Sequence, residues 1–189
     1  MYYLRARFSG YGKCSNCNEY NTFPVWCQTC DPKETTQGWT SGDKALYDFI
    51  KNHQLETIAY DEVIEWIPFD KLKNMKLIGE GGFSTVFSAI WLDGVRKVEY
   101  EDGKYKRTRE TSCKVAVKTL SSEDGSSDSL VEFKNHIECR MKGTGLEVYG
   151  LTRYDNKYMM VFQYANEGNL HQCLQSNFKR LHGKINYNC

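Results

Sequence analysis

The spacing of apolar residues changes character twice along this chain. Before about residue 40, aliphatic side chains are scarce and Cys, Asn, Thr and Gly prevail, so an ordinary hydrophobic core is not expected there. Residues 43–66 then repeat at helical spacing, with Leu46, Phe49 and Ile50, later Leu55 and Ile58, behind a Ser41-Gly42-Asp43 cap. From Pro68 the period shortens to that of strands and turns. Residues 75–78 are apolar and run into Gly79, while 85–92 alternate and end in Asp93-Gly94, a hairpin turn signal. Residues 94–113 are densely charged, with a second turn signal at Asp102-Gly103. A buried strand is predicted over 114–120, a polar loop over 121–128 and a helix over 129–142. Strands 147–154 and 157–164 flank a turn at Asp155-Asn156. A last helix begins near Asn169, with Leu170, Leu174, Phe178 and Leu181 on one face. The order is strand, strand, strand, helix, strand, strand, helix, an α+β pattern without internal repeats.

Composition narrows the functional classes. Hydrophobic residues make up 40% of the 189 and charged residues 26%, which suits a folded soluble protein with room for one ordinary domain and a small one. The net charge of +1 gives no pull toward nucleic acid or an anionic membrane. Apolar runs such as 159–162 are far too short to cross a bilayer, and the N-terminal Met1-Tyr2-Tyr3-Leu4-Arg5-Ala6-Arg7 has no apolar signal-peptide core. The expected compartment is the cytosol, or the nucleus.

Of eight cysteines, Cys113, Cys139, Cys173 and Cys189 are scattered, while Cys14, Cys17, Cys27 and Cys30 form two C-x2-C pairs nine residues apart. A two-residue gap lets both thiolates of a knuckle point at one ion, and two knuckles complete the tetrahedral sulfur cage that zinc prefers. Such a metal supplies the folding energy that the missing core cannot. Gly12 and Asn18 suit the tight turns of a knuckle. The alternatives are two disulfides or four free thiols, which the absence of a signal peptide disfavours. The residues after the first pair, Glu19-Tyr20-Asn21-Thr22-Phe23, are not basic, so a structural or protein-binding module is expected before a nucleic-acid one.

The stretch Ile78-Gly79-Glu80-Gly81-Gly82-Phe83-Ser84-Thr85-Val86-Phe87 gathers three glycines in four residues. A Rossmann loop requires a helix next, whereas Val86-Phe87-Ser88-Ala89-Ile90-Trp91 reads as a strand; a Walker loop requires Gly-Lys-Ser/Thr, which is absent. What remains is a loop between two antiparallel strands, its backbone amides close to phosphate oxygens. Such a loop needs a lysine on the next strand, and Val115-Ala116-Val117-Lys118 supplies it, with Glu132 on the following helix as the carboxylate partner. Each residue also has a plainer reading. Val86, Ala116 and Phe162 suit a core, Lys118 suits a snorkelling edge residue, and Glu132 suits a capping box with Ser129.

Taken together, Gly79-x-Gly81-x-x-Ser84-x-Val86, Val115-Ala116-Val117-Lys118, Glu132, and Met160-Val161-Phe162-Gln163-Tyr164 before Gly168-Asn169-Leu170 resemble the N-terminal lobe of a protein kinase. The style is tyrosine-kinase-like, and the cysteine module followed by Trp66-Ile67-Pro68-Phe69 is similar to an expanded set of fungal kinase-like proteins. The resemblance implies a five-stranded antiparallel sheet with an αC-type helix. It implies an ATP site made of Ile78, Gly79, Glu80, Gly81, Gly82, Phe83, Ser84, Thr85, Val86, Ala116, Lys118, a gatekeeper Phe162 and a hinge running from Gln163 to Ala165. Lys118 and Glu132 would be the functional pair. The implied organisation is a four-cysteine zinc module over 1–42, a helical linker over 43–67, the kinase lobe over 68–181 and a tail over 182–189.

Ser84 replaces the third glycine of the family pattern, a mild change, and the charged insertion 94–113 reads as a tolerated surface loop. No His-Arg-Asp, Asp-Phe-Gly or Ala-Pro-Glu occurs; the only Asp-Phe, Asp48-Phe49, precedes the lobe and continues with Ile50. Those motifs hold the catalytic base and the magnesium ligands. The chain is therefore expected to be inactive by itself, either as a truncated kinase sequence or as a short protein that binds partners through its zinc module and lobe. The genomic sequence beyond the codon for Cys189 separates the two.

Overall fold

The computed structural model describes residues 5–35, 44–81, 84–120, 127–141 and 146–165, with the side chains of 127–130 and 141 left aside. The helix expected from Asn169 and the side chain of Ser129 lie outside the described residues. In chain order the elements are α1 (Asp31–Thr35), α2 (Lys44–Glu56), β1 (Glu65–Trp66), β2 (Leu72–Glu80), β3 (Thr85–Trp91), β4 (Arg96–Glu101), β5 (Lys104–Arg109), β6 (Cys113–Thr119), α3 (Ser127–Met141), β7 (Val148–Tyr154) and β8 (Lys157–Gln163).

The expected α+β fold is present. Six strands form one sheet in the order β1-β7-β8-β6-β3-β2, five of them antiparallel and β1 parallel to β7. β6 is buried on both faces, with Val115 and Val117 on one and Ala116 on the other, as its central place requires. One face carries Leu120, Val148, Leu151 and Met160 against Phe133 and Ile137 of α3 and Leu46 and Ile50 of α2. The other buries Leu72, Ala89, Trp91, Val115, Val117, Met159 and Val161, together with Ile67.

Three expectations need correction. The helix predicted over 43–66 ends at Glu56. Thr57 closes its last turn, its amide donating to Gln54 O at 3.2 Å and its hydroxyl to His53 O at 3.1 Å. Gln54 takes the buried position that periodicity assigned to Leu55, with Nε2 donating to Ile64 O at 2.6 Å, while Leu55 is exposed. The chain then runs extended to β1, an edge strand absent from the sequence reading. Asp93-Gly94 makes no hairpin either: β3 pairs only with β2 and β6, and β4 pairs with β5 around Asp102-Gly103. Gly94 is needed for a different reason. It has φ +69°, and a Cβ there would meet Glu110 O at 1.3 Å, so glycine lets the chain cross the base of the hairpin.

That hairpin replaces the loose surface loop expected for the insertion. Arg96 and Arg109 hold Glu65 at 2.8 and 2.6 Å, and Arg107 reaches Asp31 at 2.7 Å and donates twice to Val25 O. Trp26 is fully buried, and its Nε1 donates to Thr57 O at 3.1 Å. The cysteine segment is thus packed onto the end of α2 and onto the inserted hairpin.

β1 can dock only because position 150 has no side chain. A Cβ on Gly150 would meet Glu65 O at 2.0 Å and Glu65 C at 2.8 Å, both backbone atoms that cannot swing aside. We expect Gly150→Ala to cost about 3 kcal/mol, lowering the thermal midpoint by about 6–12 °C. A calorimetric midpoint within a degree of the parent would refute this account of β1.

Candidate functional site

β2 and β3 pair as far as Gly79↔Val86 and Glu80↔Thr85, and the Gly81 amide donates to Ser84 O at 2.9 Å. The glycine stretch is therefore the tip of a hairpin, as expected, with Gly82 and Phe83 outside the described residues. Among the described residues, a Cβ on Gly79 would meet nothing nearer than Val86 Cβ at 3.9 Å, and one on Gly81 nothing nearer than Ser84 O at 3.7 Å. Neither glycine has a positive φ. Among the described residues, no neighbour's bulk or backbone conformation requires glycine at these two positions.

Lys118 lies in register with Val86 on one side and Met160 on the other; two residues away, Ala116 lies between Ser88 and Phe162. Residues in register share a face of the sheet, and this is the face that α3 covers. Lys118 Nζ sits 2.5 Å from Glu132 Oε1, with 24% and 25% of the two side chains exposed. An ammonium this far from water is costly without a partner. The capping-box alternative for Glu132 involves Ser129, whose side chain lies outside the described residues. Ala116 is buried, and Phe162 is half-buried against the core. The Gln163 amide is taken by Glu147 O at 2.8 Å, and Tyr164 and Ala165 leave the ladder after it. One turn beyond Glu132, His136 places Nε2 4.0 Å from the same carboxylate oxygen. Burial lowers the pKa of His136 and the Lys118 ammonium lowers it further, against the opposing pull of Glu132. The imidazole is neutral at pH 7.

The four cysteines also converge. Their Sγ atoms all lie within 4.8 Å of one another, and Cys17 and Cys27 are 3.8 Å apart. A tetrahedral site with metal–sulfur bonds of about 2.3 Å has sulfur–sulfur edges of about 3.8 Å, so the donor set fits such an ion. Gly12 (φ +82°) and Asn18 (φ +57°) make the turns around the first knuckle. The Asn16 amide points at Cys14 Sγ at 3.4 Å, and Arg7 Nη1 lies 3.7 Å from Cys27 Sγ. Burial by itself raises the Cys27 thiol, but amide hydrogen bonds from Thr29 and Cys30 and the Arg7 guanidinium bring it down to about 7. Burial and the neighbouring thiols push Cys30 up to about 12, and burial raises Cys14. Without a cation the cluster thus favours one thiolate and resists the next. Asp31 ties the second knuckle, accepting from the Cys27 amide at 2.5 Å while it pairs with Arg107.

Residue spacing did not single out Arg7, Asp31, Arg107 or Thr119. The first three contribute through partners distant in sequence, and Thr119 looks like any strand threonine.

The sequence model of the protein tyrosine and serine/threonine kinase family matches residues 72–188, more than half of the chain. The chain belongs to the protein kinase family. No curated protein matches it. Kinases of this family use ATP and magnesium for phosphotransfer to protein hydroxyls. In this kinase chain the match begins at Leu72, the first residue of β2, so the cysteine segment, α2 and β1 precede the matched region.

Removing the ammonium of Lys118 leaves Glu132 as the charge nearest His136. Lys118→Met is therefore expected to raise the pKa of His136, since a cation that opposed protonation is gone while the carboxylate that favours it stays. An NMR titration of the His136 ring in both proteins measures this. A fall, or no change, would mean that the groups do not share one electrostatic site.

Proposed function

We propose that this chain is the nucleotide-covering lobe of a protein kinase, with a structural zinc module at its N-terminus. The observation that carries the nucleotide reading is the meeting of Lys118 and Glu132, 2.5 Å apart, on the sheet face that also holds Val86, Ala116 and Phe162. In this reading Ile78, Gly79, Glu80, Gly81, Gly82, Phe83, Ser84, Thr85 and Val86 form the loop over the ATP phosphates. Val86 and Ala116 line the adenine pocket, Phe162 is the gatekeeper, and the main chain from Gln163 to Ala165 reads adenine. Lys118 holds phosphate oxygens, and Glu132 keeps its ammonium in place. Magnesium, when bound with ATP, neutralises phosphate charge; the family motifs that hold it do not occur in this sequence.

The cysteine cage supports zinc in Cys14, Cys17, Cys27 and Cys30, serving to fold residues 1–42 against the helical linker 43–67 and the lobe 68–181. The position of this module before Trp66-Ile67-Pro68-Phe69 supports placing the chain among tyrosine-kinase-like proteins of the expanded fungal type. A second reading, an interaction protein derived from a kinase that binds partners through its cysteine module and lobe, draws on the packing of that module against α2 and the inserted hairpin.

Two outcomes follow. The purified chain should bind an ATP analogue weakly, with affinity reduced about tenfold or more in Lys118→Met, and should transfer no phosphate from labelled ATP. Phosphotransfer that Lys118→Met abolishes would overturn the view that this polypeptide does not catalyse. Elemental analysis should find about one zinc per chain. Metal uptake should weaken steadily as pH falls through the neutral range, since the high-lying thiols of Cys14 and Cys30 must give up protons to bind, and more steeply below about 7, where Cys27 must do so as well. A reduced, chelator-free preparation without metal would remove the zinc module.

A further inference from the structure

We propose that Thr119 is a positioning residue for nucleotide binding, its hydroxyl pinning the stem of the glycine loop beside Lys118; the proposal rests on the ATP reading of this site. Thr85 is the first strand residue after the loop. Gly81 and Ser84 share a hydrogen bond at the tip, so in the alternation of an antiparallel ladder the next pair, Glu80↔Thr85, turns its backbone groups away from β2. The amide and carbonyl of Thr85 therefore face β6. There the ladder stops one residue too early: Val86↔Lys118 is its last pair, although Thr119, opposite Met159 and next to Leu120 whose amide donates to Tyr158 O at 3.0 Å, also turns its backbone toward β3. The side chain of Thr119 fills the gap. Its Oγ1 accepts from the Thr85 amide at 2.8 Å and donates to Thr85 O at 3.3 Å.

A hydroxyl is the smallest side-chain group that donates and accepts at one atom, so one residue satisfies both orphaned backbone groups. Thr119 is also covalently next to Lys118. The stem of the loop and the phosphate-binding ammonium are thereby held to one short piece of backbone. The loop amides and the ammonium must meet the same phosphate groups, and a stem free to lift would spoil that shared geometry without changing any group that touches the nucleotide. Gly81 ties the tip to itself through Ser84 O but not to the rest of the sheet. The clasp at Thr85 supplies that tie.

The test compares Thr119→Val, which keeps the shape and loses the hydroxyl, with Thr119→Ser, which keeps the hydroxyl. Hydrogen exchange at the Thr85 amide and the dissociation constant of a fluorescent ATP analogue are measured in the full chain, with the amides of β8 as an internal reference for intact folding. In the Val variant the Thr85 amide should exchange about 3- to 10-fold faster and the dissociation constant rise by a similar factor, the worth of a lost hydrogen bond. The Ser variant should match the parent in both. Unchanged exchange in Thr119→Val would overturn the clasp, as would a Ser variant that behaves like Val. Faster exchange with unchanged affinity would overturn the positioning role. If the parent itself binds no nucleotide, the ATP reading falls and takes the nucleotide part of this proposal with it, while the exchange data still judge the clasp.

Discussion

A lysine inside an apolar central strand sets the terms for much of this fold. Lys118 follows Val115, Ala116 and Val117 in β6, flanked on both sides by paired strands. Its ammonium cannot stay there without a carboxylate, and only an element crossing the same face can bring one. That places α3 across the sheet with Glu132 above Lys118. The apolar side chains on α3, Phe133 and Ile137, then settle against Leu120, Val148, Leu151 and Met160. α2 lies on this layer in turn, with Phe49 edge-on to Phe133 at 5.9 Å and Leu46 and Ile50 in the same cluster. The ion pair and this apolar layer thus agree on where the two helices lie.

The elements that were readable from sequence are those whose signal is local. The strands β2, β3, β6, β7 and β8 announce themselves by short apolar runs between turn residues, and the pairing of β2 with β3 and of β7 with β8 follows from tight turns at the glycine loop and at Asp155-Asn156. The Lys118–Glu132 meeting was expected because the cost of burying a lone charge narrows the choice of partner. The cysteine spacing carried the geometry of its cage for a similar reason, since two knuckles can converge in few ways. What was not readable depends on partners far away in the chain. Nothing near Glu65 signals a two-residue strand; the strand exists because Gly150, eighty-five positions later, leaves space for its backbone. The early end of α2 likewise depends on tertiary context, with Gln54 buried against Ile64 O and Thr57 O held by Trp26.

The charged insertion shows how composition misleads when partners are out of view. By sequence its lysines, arginines and glutamates describe a solvated loop. In the fold, three arginines on β4 and β5 point inward to fixed acceptors: Arg96 and Arg109 to Glu65, and Arg107 to Asp31 and Val25 O. Exposed ion pairs contribute little, but Glu65 and Asp31 are 16% and 7% exposed, and each also joins a backbone or second charged contact. Arg107 further lies over the rings of Trp26 and Tyr60, at 5.8 and 5.1 Å. The hairpin therefore connects the cysteine segment to the edge of the sheet.

This arrangement bears on where a ligand for the lobe belongs. Charge alone would point to the hairpin, the most basic stretch of the chain, as an anion site. Its arginines, however, are occupied by carboxylates and carbonyls of the protein, so a phosphate there would have to displace bonds already made. The glycine loop presents the opposite situation. Among the described residues, no atom beyond the chain neighbours comes closer than 3.7 Å to a Cβ placed on Gly79 or Gly81, and the Lys118 ammonium has three donors, one of which faces Glu132. On the proposed ATP reading, the β2–β3 tip and the end of β6 are where the phosphates are held. The same reasoning explains why a small, core-poor segment such as 5–35 is fixed at its edges by Trp26, Asp31 and Arg107 and at its centre by four thiols: with few aliphatic side chains to bury, polar and metal-competent contacts are what remain to hold it.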